Sequence, residues 1–116
     1  MAEILHRLGF EAIQITRPSK DGGKDILARK VVHDIPLNFM FECKRYSEGN
    51  KIGLHTLRSL LGVVANKGSE ANIGVLVTTS TFTKGGIELI ASESRLDGKD
   101  YKGIQNWLSE ITRSNQ

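Results

Sequence analysis

The chain is poor in cysteine and in long apolar runs, and each shortage excludes something. Cys43 is the only cysteine among 116 residues, so no internal disulfide can staple the fold. No apolar run approaches the roughly 20 residues that span a bilayer. The opening Met1-Ala2-Glu3-Ile4-Leu5-His6 lacks the hydrophobic stretch of a signal peptide. These absences point to a soluble, cytoplasmic protein with no membrane partner. Internal repeats, low-complexity tracts and interdomain linkers are missing too, so residues 1–116 read as a single domain. A chain of this length can bury roughly two thirds of its unfolded surface. Charged residues at 25% and hydrophobic ones at 39% give no compositional reason for disorder. Cys43 has no histidine near it in sequence, and its neighbours place it on the buried side of a strand. It therefore reads as a structural thiol.

Net charge is only +3, but it is unevenly spread. From Arg17 to Lys67 ten basic residues face five acidic ones, a balance of +5, while the remainder carries six against eight, or −2. An excess of this kind suits a phosphate backbone, although it also describes an ordinary solvated surface.

Along the chain, Ile4, Leu5 and Leu8 have helical spacing, and Gly9 is placed to stop a short first helix. Phe10 to Thr16 reads as a strand with Ile13 and Ile15 on one face. Pro18 to Gly23 reads as a loop, Lys24 to Val31 as a second strand, and His33-Asp34-Ile35-Pro36 as the connection to a third. Leu54, Leu57, Leu60, Leu61 and Val64 make one face of a helix whose other face shows His55, Arg58 and Ser59. Ile73 to Thr79 is a run without alternation, as expected of a strand covered on both faces at the sheet centre. Thr81-Phe82-Thr83 offers a cap to a helix implied by Ile87, Ile90 and Ala91, Asp97 to Asp100 reads as a turn, and Ile104, Trp107, Leu108 and Ile111 stripe a last helix. The result is an α/β sandwich around a mixed sheet.

The third strand, Leu37 to Lys44, holds the chemistry. Alternation puts Leu37, Phe39, Phe41 and Cys43 on one face and Asn38, Met40, Glu42 and Lys44 on the other. A carboxylate and an ammonium thus end the polar side of a strand that otherwise reads as core. Asp25 heads the preceding strand, and in an antiparallel hairpin it can converge with Glu42 on one hard cation such as Mg²⁺. The Cys43 backbone carbonyl can complete the ligand set, and Lys44 can orient water or stabilise developing negative charge. Each part also has a plain reading. Glu42 and Lys44 can be a surface ion pair worth less than about 1 kcal/mol. Asp21 suits a turn, yet it is the main rival ligand to Asp25. Lys24, Arg45, Lys51 and Arg58 are either phosphate contacts or merely solvated, and His55 is a candidate only if its helix face approaches the site. Thr78 and Thr79 are either supporting hydrogen-bond partners or ordinary strand residues.

Four segments in order carry a family resemblance: Gly22 to Ala28, Phe41 to Tyr46, Leu57 to Gly62, and Gly74 to Thr79. Together they resemble the Mrr-type restriction endonuclease domain of the PD-(D/E)xK nuclease superfamily, over roughly Ile4 to Ile90. The resemblance implies a restriction-endonuclease-like α-β-β-β-α-β core with extra C-terminal helices. It also implies a Mg²⁺-dependent endonuclease acting on DNA, with Mn²⁺ a substitute, Asp25 and Glu42 matching the metal-binding acids and Lys44 the catalytic lysine. Many family members have Gln where this chain has Glu42. Their first helix often carries a glutamate one or two turns before the position of Met1, so the helix is expected to lack its start, with Glu3 a candidate replacement. The alternatives are a Holliday-junction-resolvase-like, structure-selective nuclease and a non-cleaving DNA-binding domain on the same scaffold. Cleavage of both strands would favour a homodimer, and the small size suggests a target-recognition domain in a longer chain.

Overall fold

The computed structural model describes residues 1–18, 24–45 and 49–114. Nine elements follow in order: α1 (Ala2–Arg7), β1 (Glu11–Pro18), β2 (Lys24–Val32), β3 (Ile35–Lys44), α2 (Leu54–Ala65), β4 (Ile73–Thr78), α3 (Lys84–Ser92), β5 (Leu96–Lys99) and α4 (Tyr101–Ser114). The strands form one sheet in the order β1-β2-β3-β4-β5. The first three are antiparallel neighbours, while β4 and β5 join in parallel, each after a helical crossover. The expected α/β sandwich around a mixed sheet is therefore present, with a fifth strand added.

Both faces of the sheet are covered. On one, Leu57, Leu60 and Val64 of α2 pack with Leu89 and Ile90 of α3 against Met40, Leu76 and Leu96. On the other, Leu5 of α1 and Ile104 and Trp107 of α4 pack against Ile26, Phe39, Phe41, Val75 and Val77. Phe41 meets Phe10 edge-on at 5.2 Å between ring centroids and Trp107 at 6.4 Å, so an aromatic cluster lies within this second layer. Gly9, at φ +94°, ends α1 in a backbone conformation that side-chain-bearing residues rarely adopt. At α3 the expected cap is present, the Thr83 hydroxyl accepting a hydrogen bond from the Gly86 amide at 3.0 Å.

Several expectations need correction. His33 and Asp34 alone make the β2–β3 turn, at φ +51° and +65°, and Ile35 and Pro36 already belong to β3. The segment read as a turn at Asp97-Gly98-Lys99 is β5, parallel to β4. The strand β4 is the most thoroughly buried, but β3 occupies the middle of the sheet. Ile15 and Ile87 are exposed, each at 57%. Ile15 keeps the face of its partner Ile26, but it lines the open cavity beside α1 and is left uncovered there.

Candidate active site

The two-residue turn at His33-Asp34 fixes the β2–β3 register, and from Val32 opposite Ile35 the pairing runs unbroken to Asp25 opposite Glu42 and Lys24 opposite Cys43. Residues directly opposite in an antiparallel pair share a face. A slip of one residue would put Asp25 across from Phe41 or Cys43 and send the two carboxylates to opposite faces. The turn therefore delivers Asp25 and Glu42 side by side.

Lys44 joins them from the same face of β3. Its Nζ lies 3.7 Å from Glu42 Oε1, with the two side chains only 13% and 22% exposed. This is a sheltered ion pair, unlike the solvated pair that the sequence also allowed. Burial pushes the Asp25 carboxyl above its ordinary value, and the Lys44 charge offsets part of that rise. Asp25 Oδ1 is buried without a hydrogen-bond partner among the described residues. The main-chain oxygen of Asp25, by contrast, accepts the Thr16 hydroxyl at 3.0 Å, which fixes the backbone from which the carboxylate projects. An orphaned, buried carboxylate oxygen beside a second carboxylate fits a hard divalent cation, because such ions take oxygen ligands and compensate the lost hydration. Among the described residues, however, no three His, Cys, Asp or Glu side chains group to hold a metal. A ligand set built from the described residues is two carboxylates completed by main-chain or water oxygens.

The other sequence candidates scatter around this centre. Cys43 turns to the opposite face and packs against the layer that holds the aromatic cluster, but it is half-buried, where the sequence reading had it buried. Burial pushes its thiol up, the Met1 amino group offsets part of that, and the Asp25 and Glu42 charges add to it, which disfavours the thiolate. Glu3 is exposed and paired with Arg7 at 3.3 Å, so α1 brings no acid to Asp25 and Glu42. His55 and Arg58 are exposed on the outer face of α2, and Lys51 and Arg45 are exposed beyond the strand ends. Asp21 and the Lys24 side chain lie outside the described residues. Thr78, opposite Lys44 in register and 1% exposed, uses its hydroxyl to accept the Ser80 amide at 3.1 Å, and Thr79 is exposed. A cavity of about 420 Å³ at the ends of β3 and β4 is lined in part by Glu3, Cys43, Lys44, Arg45 and Thr78, but by neither Asp25 nor Glu42.

The restriction endonuclease family model Mrr_cat matches residues 1–108. The chain belongs to that family. It is thus a restriction-endonuclease-like nuclease domain, and its mixed sheet with flanking helices is the fold of that group. An uncharacterised protein, y4cE of Sinorhizobium fredii (strain NBRC 101917 / NGR234), is 28% identical to this chain over 92 residues. That match takes 79% of this chain and 23% of y4cE. The DNA modification-dependent restriction endonuclease AspBHI superposes with a TM-score of 0.66 at 22% identity, over 97% of this chain and 34% of its own. A protein of unknown function, AF1548, superposes with a TM-score of 0.72 at 16% identity, over 94% and 61%. The chain therefore spans about a quarter of its curated relative and a third of AspBHI. At these identities the structural likenesses speak for the fold alone.

Proposed function

We propose that residues 1–116 form the catalytic domain of a Mg²⁺-dependent endonuclease that hydrolyses DNA phosphodiester bonds, with Mn²⁺ able to replace Mg²⁺. The observation that carries this reading is the register pairing of Asp25 with Glu42, Lys44 on the same face and the Asp25 Oδ1 atom without a hydrogen-bond partner among the described residues. The Asp25 and Glu42 carboxylates and the Cys43 main-chain carbonyl would hold the cation, which when bound polarises the phosphate and acidifies a water molecule. Lys44 supplies positive charge for the oxyanion that develops at phosphorus, and Glu42 holds its ammonium in position. Arg45, Lys51, Arg58 and Lys24 serve as phosphate contacts around that centre. Glu3 and His55 take no part, since one is held by Arg7 and the other faces outward on α2.

On this reading DNA is the partner, two copies act together where both strands are cut, a separate target-recognition domain lies in a longer chain beside whatever this domain itself reads, and the work is done in the cytoplasm. Supercoiled plasmid incubated with the protein and Mg²⁺ tests the proposal. Wild type should nick or linearise it, Asp25→Ala and Lys44→Ala should not, and EDTA should stop the reaction. Cleavage that survives both substitutions would sink the site assignment. Salt-sensitive DNA binding that ignores Mg²⁺, with no cleavage, would identify a binding domain on the nuclease scaffold, and preference for branched over linear duplex would identify a junction nuclease.

A further inference from the structure

The face that carries Asp25 and Glu42 continues along the hairpin, with Leu27 opposite Met40, Arg29 opposite Asn38 and Val31 opposite Pro36. The β1 pairing reaches only as far as Arg29, opposite Glu11, and β4 begins at Ile73, opposite Phe39. Beyond Arg29 and Asn38 the hairpin is thus a two-stranded ribbon flanked by neither strand, and its tip exposes Val31 at 52% and Ile35 at 59%. A ribbon of two strands fits the major groove of B-form DNA.

At the root of this ribbon Arg29 and Asn38 are both exposed, and among the described residues no ion pair engages the Arg29 guanidinium. The Asn38 backbone is clamped from both sides, its amide donating to Asn72 Oδ1 at 2.8 Å and its carbonyl accepting from the Asn72 amide at 2.8 Å. Its side chain is thereby presented from a fixed main chain. The next strand departs from regular geometry here: Ala12 sits at φ +52°, and the β1 register shifts between Glu11 and Gln14. A non-glycine residue in the left-handed region together with a bulge is a costly feature, of the sort that concentrates where a side chain has to be re-aimed. The bulge borders a crevice of about 230 Å³ whose lining includes Gln14, Arg29, Asn38 and Glu70.

The composition of that crevice decides between two kinds of DNA contact. A phosphate track would be cationic, whereas Glu70 shares the crevice and Glu11 lies directly across from Arg29. Arginine, asparagine, glutamine and glutamate are together the side chains that pair with base edges in the major groove. Four residues of strand separate Asp25 from Arg29, which at about 3.3 Å each is roughly 13 Å, or about four base pairs at 3.4 Å per step. We propose that the Arg29–Asn38 pair at the root of the β2–β3 ribbon reads base edges in the DNA major groove, about four base pairs from the bond that is cut. The proposal rests on the nuclease reading above and adds to it a sequence preference carried by the nuclease domain itself.

The test is a duplex pool randomised over twelve positions, selected for binding to the full chain in EDTA, with plasmid cleavage in Mg²⁺ measured separately. Wild type should enrich particular bases. Arg29→Ala and Asn38→Ala should each lower that enrichment roughly tenfold at one or two adjacent positions, the size of a lost bidentate base contact, with circular dichroism melts unchanged. Should Arg29→Ala fail to fold, Asn38→Ala decides the matter. A wild-type pool without base preference overturns the proposal. So does an Arg29→Ala protein that binds every sequence equally more weakly with its salt dependence reduced by about one counterion, the signature of a phosphate contact. Wild type that enriches bases yet leaves plasmid intact sinks the nuclease reading and leaves base reading standing. Wild type that cuts and enriches nothing sinks base reading alone.

Discussion

Replacing Asp25 by Asn should make the metal-free protein more stable, which is the opposite of what a structural carboxylate would show. In the fold this carboxyl is half-buried, its Oδ1 has no hydrogen-bond partner among the described residues, and burial raises its pKa from the ordinary 3.8. The folded state therefore holds the proton more tightly than the unfolded chain. As pH rises from the unfolded value through the raised folded value, stability falls, and above the folded value the full cost of the ionised, poorly solvated carboxylate is present. Below the unfolded value that cost is gone. Asn keeps a polar atom at this position but sheds the charge, whose burial costs more than that of a neutral amide; the attraction of Lys44 offsets part of that difference, so a net gain on the order of 1 kcal/mol at neutral pH is expected for Asp25→Asn. For a domain of this size that is about 4 °C in Tm. Calorimetric melts in EDTA from pH 4 to pH 8 measure it. The variant should melt higher at pH 8, with the gap closing toward pH 4. Mg²⁺ at a hundred times its Kd should add about 2.7 kcal/mol to wild type and far less to the variant. An Asp25→Asn protein that melts lower than wild type at pH 8, or by the same difference at every pH, would refute the reasoning.

Lys44→Ala should lower kcat on plasmid by roughly 10²–10³-fold, the usual loss when one preorganised charge-stabilising donor is removed, while DNA affinity measured in EDTA changes little. The β2–β3 turn should improve with Asp34→Gly, since a left-handed residue other than glycine costs about 1 kcal/mol; Asp34 sits at φ +65°, and urea midpoints should rise accordingly. Two glycines should respond with opposite signs. A Cβ on Gly74 would lie 2.8 Å from Leu60 Cγ and 2.9 Å from Val64 Cγ2, so Gly74→Ala should destabilise by about 1–3 kcal/mol. Gly62, inside α2 with nothing within 4 Å of its would-be Cβ, should gain about 0.8 kcal/mol as Ala. Paired urea melts check both, and equal signs would contradict the packing.

What the sequence disclosed was whatever rests on local periodicity. The apolar spacing of α2 and the unbroken apolar run of β4 both survive in the fold, with Leu57, Leu60 and Val64 buried and every residue of β4 after Ile73 buried. What it hid depends on distant neighbours. Asp97-Gly98 reads as a turn because glycine is the common turn residue, yet Gly98 lies in a strand where a Cβ would come within 2.7 Å of both Ile90 Cδ1 and Phe82 Cζ. A glycine required by close packing and one required by a turn look identical in composition. Pro36 likewise suggested a connection, but it sits at the ribbon tip, where a strand tolerates proline. The register shifts of β1 leave no sequence signal, since an extra residue in a strand changes register without changing residue type.

The candidate site falls between these cases. Asp25, Glu42 and Lys44 were legible as residue types at a spacing, but their meeting depends on two residues remote from all three, His33 and Asp34, whose left-handed conformations set the hairpin register. The same register places Arg29 on the face of Asp25 and Glu42, and sequence reasoning missed it because an arginine in the middle of a strand looks like any solvated cation. The cost of this arrangement is visible in Asp25, whose buried Oδ1 has no hydrogen-bond partner among the described residues. Around Asp25 the strands are held by the aromatic residues beneath, Met40 above, and the Thr16 hydroxyl on the Asp25 carbonyl. A local rule broken in one place, inside a frame that obeys it elsewhere, is what a functional constraint looks like in a fold. Asp25 is therefore the residue at which stability and activity should pull in opposite directions.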